Sequence, residues 1–453
     1  MKQIFITLAS ILIVALTSSA QEYQTHFPKE EFQSRWNLVF DHIGDEAIAI
    51  VQGAEDPGGF VYPRQTNTFY YLCGVENSYA YLLLDGKTRT VTLFLAPGHS
   101  QVRERVLSLS DPEKVKQLTG VHEVKSVKDM FSISAPKIFT PFSPGEKQGQ
   151  SRGEIINRDR HIASDFWDGR LSKEIHFIAL LKSRNPRSEV LDLSPFLDEM
   201  RSIKSPREIE LLRKAGELSA KAIIAAMKRS QPGVYAYQLD AEARYVFLDG
   251  GARLEGYRSI TASGVKNIRD GHYYYNSSKL LDGDLVLMDF APDYGYYTSD
   301  IGRMWPVNGK FKPWQRELCQ WILIYHKEII SRIEPGRTPK EIMDEVEELL
   351  MPKINNTKFS KEIYKKAVSK MIKTGGGVFS HTVGMAVHDV GHYREAPLKE
   401  GQVFAVDPQL RIKEEGLYMR IEDTGVVTID GFENFTALAP MELKDIEKII
   451  GSK

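Results

Sequence analysis

The sequence predicts an α+β fold in two domains, and three observations predict it. At 453 residues the chain exceeds what one ordinary hydrophobic core serves. Its second half runs twice through one order, a long amphipathic helix, a Pro-Gly break and another helix leading into apolar strands, which hints at an internal duplication. Those strands carry acids, Asp289, Asp300, Asp407 and Glu422, within or beside apolar runs. A buried carboxylate is costly unless it is neutral, paired or bound to a cation, so these positions point to a site. We place a leader at 1–20, an amino-terminal domain at 21–194 and the acid-bearing domain at 195–453.

Composition narrows the partners. Lys and Arg total 59 against 60 Asp and Glu, leaving a formal charge of -1, so no chain-wide field draws the molecule to nucleic acid or anionic lipid. A small or peptidic substrate is expected instead. Lys2, the apolar run 4–16 and Ser18-Ser19-Ala20 before Gln21 read as a signal peptide, which would make the protein periplasmic or secreted. That run is short for a membrane span and no basic cluster follows it, so no stable membrane anchor is expected. Cys73 and Cys319 are too few and too far apart in sequence for a disulfide framework and read as buried thiols.

In chain order, residues 32–42 have helical periodicity and 46–51 form an apolar strand. Aromatic and amide side chains interleave at 62–74, and 80–84 with 90–95 alternate as a hairpin about Asp85-Gly86. The Pro-, Gly- and Ser-rich stretch 136–153 reads as a loop or insert. A helix follows from about 158, then a strand near 175–179.

The second half opens on Ser205-Pro206-Arg207-Glu208, a capping box that starts a helix running to Pro232-Gly233. A second helix ends at Gly250-Gly251. Residues 314–333 repeat the theme, Pro335-Gly336 breaks it, and Thr338-Pro339-Lys340-Glu341 caps the next helix. Apolar residues 285–290 contain Asp289, and the turn 292–295 returns the chain so that Asp300 lies beside it. Strand 403–406 leads to Asp407, and 418–427 reads as one strand containing Glu422. His381 and His388 are seven apart, which puts them on opposite faces of a straight strand unless Gly384 bends it. Arg420 and Glu422 share a strand face, which suits an ion pair. Four carboxylates with one imidazole suit two divalent cations, because a carboxylate can bridge them.

Asp289 with Asp300 eleven residues on, His381 followed by His388-Asp389-Val390-Gly391, the pair Asp407-Pro408 and Arg420-Ile421-Glu422-Asp423 resemble the catalytic domain of aminopeptidase P and prolidase, the pita-bread metallopeptidase family. Residues 62–74 resemble the amino-terminal domain of aminopeptidase P, which is itself similar to the creatinase amino-terminal domain. The resemblance implies a pita-bread catalytic domain preceded by a creatinase-like α/β domain. It implies Asp289, Asp300, His381, Asp407 and Glu422 as ligands to two ions, with manganese the usual metal and cobalt, iron or zinc as alternatives. His388, His272, Asp407 and Arg420 would serve catalysis, on a peptide substrate with proline second. A prolidase acting on dipeptides and a non-catalytic peptide-binding relative are the rival readings, and a homodimer or homotetramer is expected. Three positions depart from the family pattern: Asp407 replaces the usual glutamate, Gly377 stands where many members carry histidine, and Gln409-Leu410-Arg411 replaces a Gly-Leu-Tyr run.

Overall fold

The computed structural model describes residues 23–97, 106–147 and 149–451, so the leader at 1–20 lies outside the described residues. Among the described residues no helix is long and apolar enough to cross a membrane. Both cysteines are buried and unpaired, and burial pushes their thiols up to about 12.

The amino-terminal part is built on a six-stranded sheet in the spatial order Glu123–Ser126, Thr90–Leu95, Tyr81–Asp85, Ala47–Gln52, Lys137–Thr140, Glu189–Asp192. The hairpin turns where expected, with Asp85 Oδ1 accepting the N–H groups of Lys87 and Thr88. Helix Lys29–Ile43 buries Phe32, Trp36, Val39 and Phe40 at helical spacing. Two expectations need correction. Residues 175–179 are not a strand but the middle of helix Lys173–Arg184, where Ser172 Oγ accepts the Ile175 N–H and Phe177 and Leu181 are buried one turn apart. The short apolar run there fits either element, and the cap decides it. The stretch 136–153 is not all loop. Lys137–Thr140 is an inner strand, parallel to Ala47–Gln52, with Ile138 and Thr140 buried on one face, and the helix Arg152–Ser164 begins before the stretch ends.

Helix Pro206–Arg229 begins at the capping box: Ser205 Oγ accepts the Glu208 N–H, and Glu208 Oε2 accepts the Ser205 N–H at 2.9 Å. With helix Ala236–Asp249 it leads into a three-stranded sheet in which Leu285–Asp289 lies between Ile260–Ser263 and Gly302–Pro306. The second pass uses helices Pro313–Ile330 and Pro339–Asn356, adds Glu362–Thr374, and ends in a four-stranded sheet ordered Val378–Thr382, Val403–Val406, Asp423–Thr428, Gly431–Asn434. Val286, Met288, Trp305, Ile322, Phe404 and Val427 belong to one continuous apolar core, so the two halves share their interior.

The two sheets meet at one point, where Gly302 N–H donates to Glu422 O at 3.1 Å and Glu422 N–H donates to Gly302 O at 2.9 Å. This corrects the reading of 418–427 as one strand. Leu417–Arg420 pairs with Gln409–Ile412, Asp423–Thr428 enters the four-stranded sheet, and Ile421-Glu422 is the crossing between them. The fold thus puts Glu422 at the seam, within reach of acids from both halves.

Candidate metal centre

Asp289 ends its strand opposite Gly302, and Asp300 precedes the returning strand. Asp300 is locked by its own backbone: its N–H donates to Thr424 Oγ1 and its carbonyl accepts from that hydroxyl, both at 2.8 Å. Tyr257 Oη lies 2.5 Å from Asp289 Oδ1 and 2.8 Å from Asp300 Oδ1. A phenol has one proton to donate, so both contacts form only when one of the acids carries a proton too. The electrostatics agree. Burial first, and then the Glu422 charge, raise the pKa of Asp300 well above the usual carboxylate range, and the same two causes raise Asp407. Burial works the same way on Glu422, but Arg420 and His381 outweigh it and hold that group low.

His381 Nε2 is 3.5 Å from Asp300 Oδ2 and 3.8 Å from Glu422 Oε1. Its Nδ1 lies 3.2 Å from the Thr382 carbonyl, which can only accept, so the neutral ring carries its proton there. That tautomer turns the Nε2 lone pair toward two carboxylates. Such an arrangement is repulsive unless a cation, or a second ring proton, sits between them. One donor atom each from Asp300, His381 and Glu422 lie within 4.8 Å of one another, which is the spacing of a shared ion. Asp407 Oδ1 is buried with no hydrogen-bond partner, an acceptor that a cation would satisfy. The donor set therefore fits hard or borderline divalent cations.

Asp289 and Asp407 join this trio through Arg420. Its guanidinium contacts Asp289, lies 3.3 Å from Asp407 Oδ2 and sits 2.9 Å from Glu422 Oε2, the last without hydrogen-bond alignment. Gln409 Nε2 also donates to Asp407 Oδ2, and Arg411 in turn donates to Gln409 Oε1 at 2.9 Å while stacking over Tyr418. Two of the residues that depart from the family pattern, Gln409 and Arg411, thus support the shortened acid.

His388 stands edge-on to His381 with ring centroids 4.2 Å apart, so the chain does bend between them, and Gly384 N–H bonds to Ala386 O at that bend. Burial and the neighbouring His381 bring the His388 pKa down to about 4, leaving it neutral at physiological pH. Seven of the eight residues singled out from the sequence converge here; His272 does not. It is exposed on the turn after helix Val265–Arg269, where its charge is felt by Asp270. Tyr257 and Thr424 were missed, because a lone Tyr after Gly256 and a Thr in an apolar strand carry no pattern of their own.

Gly377 has no room for the histidine found in many relatives. Its φ is +86° and a Cβ would fall on the Asp407 carbonyl oxygen. Gly377→His is expected to cost more than about 2 kcal/mol, from the left-handed backbone and the clash together, read as a lower denaturation midpoint. An unchanged midpoint would mean that the 375–377 turn yields freely.

Metallopeptidase family M24 matches residues 210–429, and Aminopeptidase P, N-terminal domain, matches residues 32–139. The Xaa-Pro aminopeptidase of Haemophilus influenzae is 31% identical over 453 residues, covering 94% of this chain and 99% of its own. That of Escherichia coli is 35% identical over 454 residues, covering 93% and 98%. Among solved structures, zinc-substituted E. coli aminopeptidase P in complex with product is similar at a TM-score of 0.72 and 25% identity, over 94% of this chain and 99% of that one.

Proposed function

Because the chain belongs to the aminopeptidase P family of M24 metallopeptidases, we propose that it releases the first residue from peptides whose second residue is proline, using two divalent cations. The observation that carries this reading is the convergence of Asp300, His381 and Glu422 with the imidazole Nε2 facing both carboxylates. Asp300, His381 and Glu422 would hold one ion, and Asp289 with Asp407 would complete the seat for a second. When bound, such ions supply Lewis acidity to a carbonyl and acidify water.

The protein's own groups do the rest. Thr424 fixes the backbone of Asp300 and Tyr257 its carboxylate, so that group needs no reorganisation when substrate arrives. Neutral His388 offers a ring N–H to the oxygen of the scissile carbonyl, where negative charge develops. Asp407, ionised when it holds a cation, is placed to take a proton from the attacking water and pass it to the leaving nitrogen. Arg420 holds Asp289 and Glu422 in register from behind. A proline-linked bond is a tertiary amide without an N–H, so recognition must come from ring shape rather than from an amide acceptor. His272 would have to approach from its exposed turn, and Tyr273 with Tyr418 would form the wall between.

The test is metal analysis of the purified protein together with hydrolysis of Xaa-Pro-Xaa and Xaa-Pro peptides, with and without chelator; manganese is the first ion to supply. Two bound ions and chelator-sensitive release of the first residue from the longer peptide support the reading. Cleavage of dipeptides alone would point to a dipeptidase, and no cleavage of either to a binding protein. Within this scheme Asp407→Glu should retain activity within about tenfold, since charge is kept and reach restored. Asp407→Ala should lose on the order of a hundredfold or more in kcat, the usual range for a lost proton donor. Full activity in Asp407→Ala would remove that residue from the mechanism.

A further inference from the structure

We propose that Ser151, Glu146 and Arg201, all from the sequence before the catalytic helices, position the His388 imidazole. The proposal rests on the reading of His388 as a substrate-side group. The segment joining His381 to His388 leaves its sheet after Val383, whose N–H donates to Val403 O at 3.0 Å, and from there Gly384 O accepts the Thr298 N–H at 2.9 Å. It is held from outside. Ser151 Oγ accepts the His388 N–H at 3.1 Å across 237 residues of sequence, and Asn67 Nδ2 donates to Met385 O at 2.9 Å.

The next residue, Asp389, is the anchor. Arg201 Nη2 donates to its Oδ1 at 2.5 Å, and Arg201 Nη1 donates to Glu146 Oε2 at 3.0 Å. Lys204 Nζ is 3.4 Å from Asp389 Oδ2, and that oxygen also accepts the Met385 N–H, closing the bend from inside. The Asp389 carboxylate fills the space where a side chain on Gly384 would stand, which explains the glycine at the bend. Glu146, Arg201, Lys204 and Asp389 have side chains no more than 1% exposed.

Buried ion networks of this kind add little net stability, because desolvation offsets the attraction, and apolar residues would pack as well. What a network supplies is one geometry. Here the geometry it specifies is the path from Thr382 to Asp389, and the group that path delivers is His388. Thr382 closes the far end: its hydroxyl donates to Asp389 O at 2.6 Å and its carbonyl accepts the Asp389 N–H at 3.0 Å. Ser151 holds the backbone of His388 itself while the other bonds hold its neighbours, so loosening Ser151 shifts the imidazole and leaves the carboxylate seat intact.

The experiment is a double-mutant cycle on the metal-loaded, full-length protein with an Xaa-Pro-Xaa peptide. Ser151→Ala should lower kcat about tenfold with KM within about twofold and the same metal content, as for loss of a group supporting a catalytic one. In a His388→Ala background the same change should lower kcat by less than about twofold, because the group it acts through is gone. An equal fall in both backgrounds, or no fall in the parent, would overturn the proposal and leave the function untouched. A His388→Ala enzyme as active as the parent would instead remove His388 from the mechanism, and this inference with it, while the activity itself stands or falls on cleavage by the parent. Ser151 also precedes helix Arg152–Ser164, so should Ser151→Ala lose its fold, Arg201→Lys takes its place in the same cycle with the same criteria.

Discussion

Asp300→Ala is expected to lower kcat by about a thousandfold or more and to reduce bound divalent cation, with the fold retained. Asp300 contributes to every feature of the centre: its Oδ1 meets Tyr257, its Oδ2 faces His381, and its backbone is bonded to Thr424 beside Glu422. Removing it leaves His381 and Glu422 as donors from one half of the duplicated domain only. A thousandfold corresponds to about 4 kcal/mol of transition-state stabilisation, within what a Lewis-acid centre contributes. Stability should move the other way in the metal-free protein, since a buried acid facing Glu422 is a burden when no cation is present. The measurements are kcat, metal content and the melting temperature of the chelated protein. Activity within tenfold of the parent at full metal occupancy would show that the ion is held elsewhere.

The second expected result is that metal stabilises the protein more as pH rises. Asp300 and Asp407 are raised above the usual carboxylate range by burial and by Glu422, whereas in the unfolded chain an aspartate titrates near 3.9. The folded, metal-free protein therefore keeps protons that the unfolded chain gives up. Its stability is fully present below the unfolded pKa and is lost as pH rises through the folded values. Cation binding requires those carboxylates ionised, so it releases protons and tightens over the same range. The stability gap between metal-loaded and chelated protein, read from their melting temperatures, should widen from pH 5 to pH 8, toward about 2.7 kcal/mol per site at a hundredfold excess over the dissociation constant. Calorimetric titration in two buffers of different ionisation enthalpy should register the released protons directly. A gap independent of pH, with no proton release, would mean that these acids are already ionised in the empty site.

Much of this centre was legible before any coordinates, for a reason that belongs to its chemistry. Acids such as Asp289 and Glu422 inside apolar strands have few physical explanations, so their order along the chain nearly determines what they are for. The helices of the duplicated half announced themselves through caps, and Ser205 and Thr338 make the bonds their motifs promise. The failures share a different cause. Lys137–Thr140 is a strand because neighbours distant in sequence pair with both of its edges, which no local pattern encodes. Lys173–Arg184 is a helix whose apolar run alone fitted a strand equally well. Tyr257, Ser151 and Arg201 act through partners 32 to 237 residues away, and such pairings become visible only in three dimensions. His272 is the converse: its neighbours in sequence place it by family pattern, while the fold sets it on an exposed turn.

The meeting of Gly302 and Glu422 has a mechanical consequence. Two backbone hydrogen bonds stitch one half-sheet to the other there, and Asp300 and Glu422, one from each half, bring ligand atoms within 4.8 Å of each other. An ion held between them would clamp the two halves at that crossing, so the same atom that enables chemistry would also resist their peeling apart.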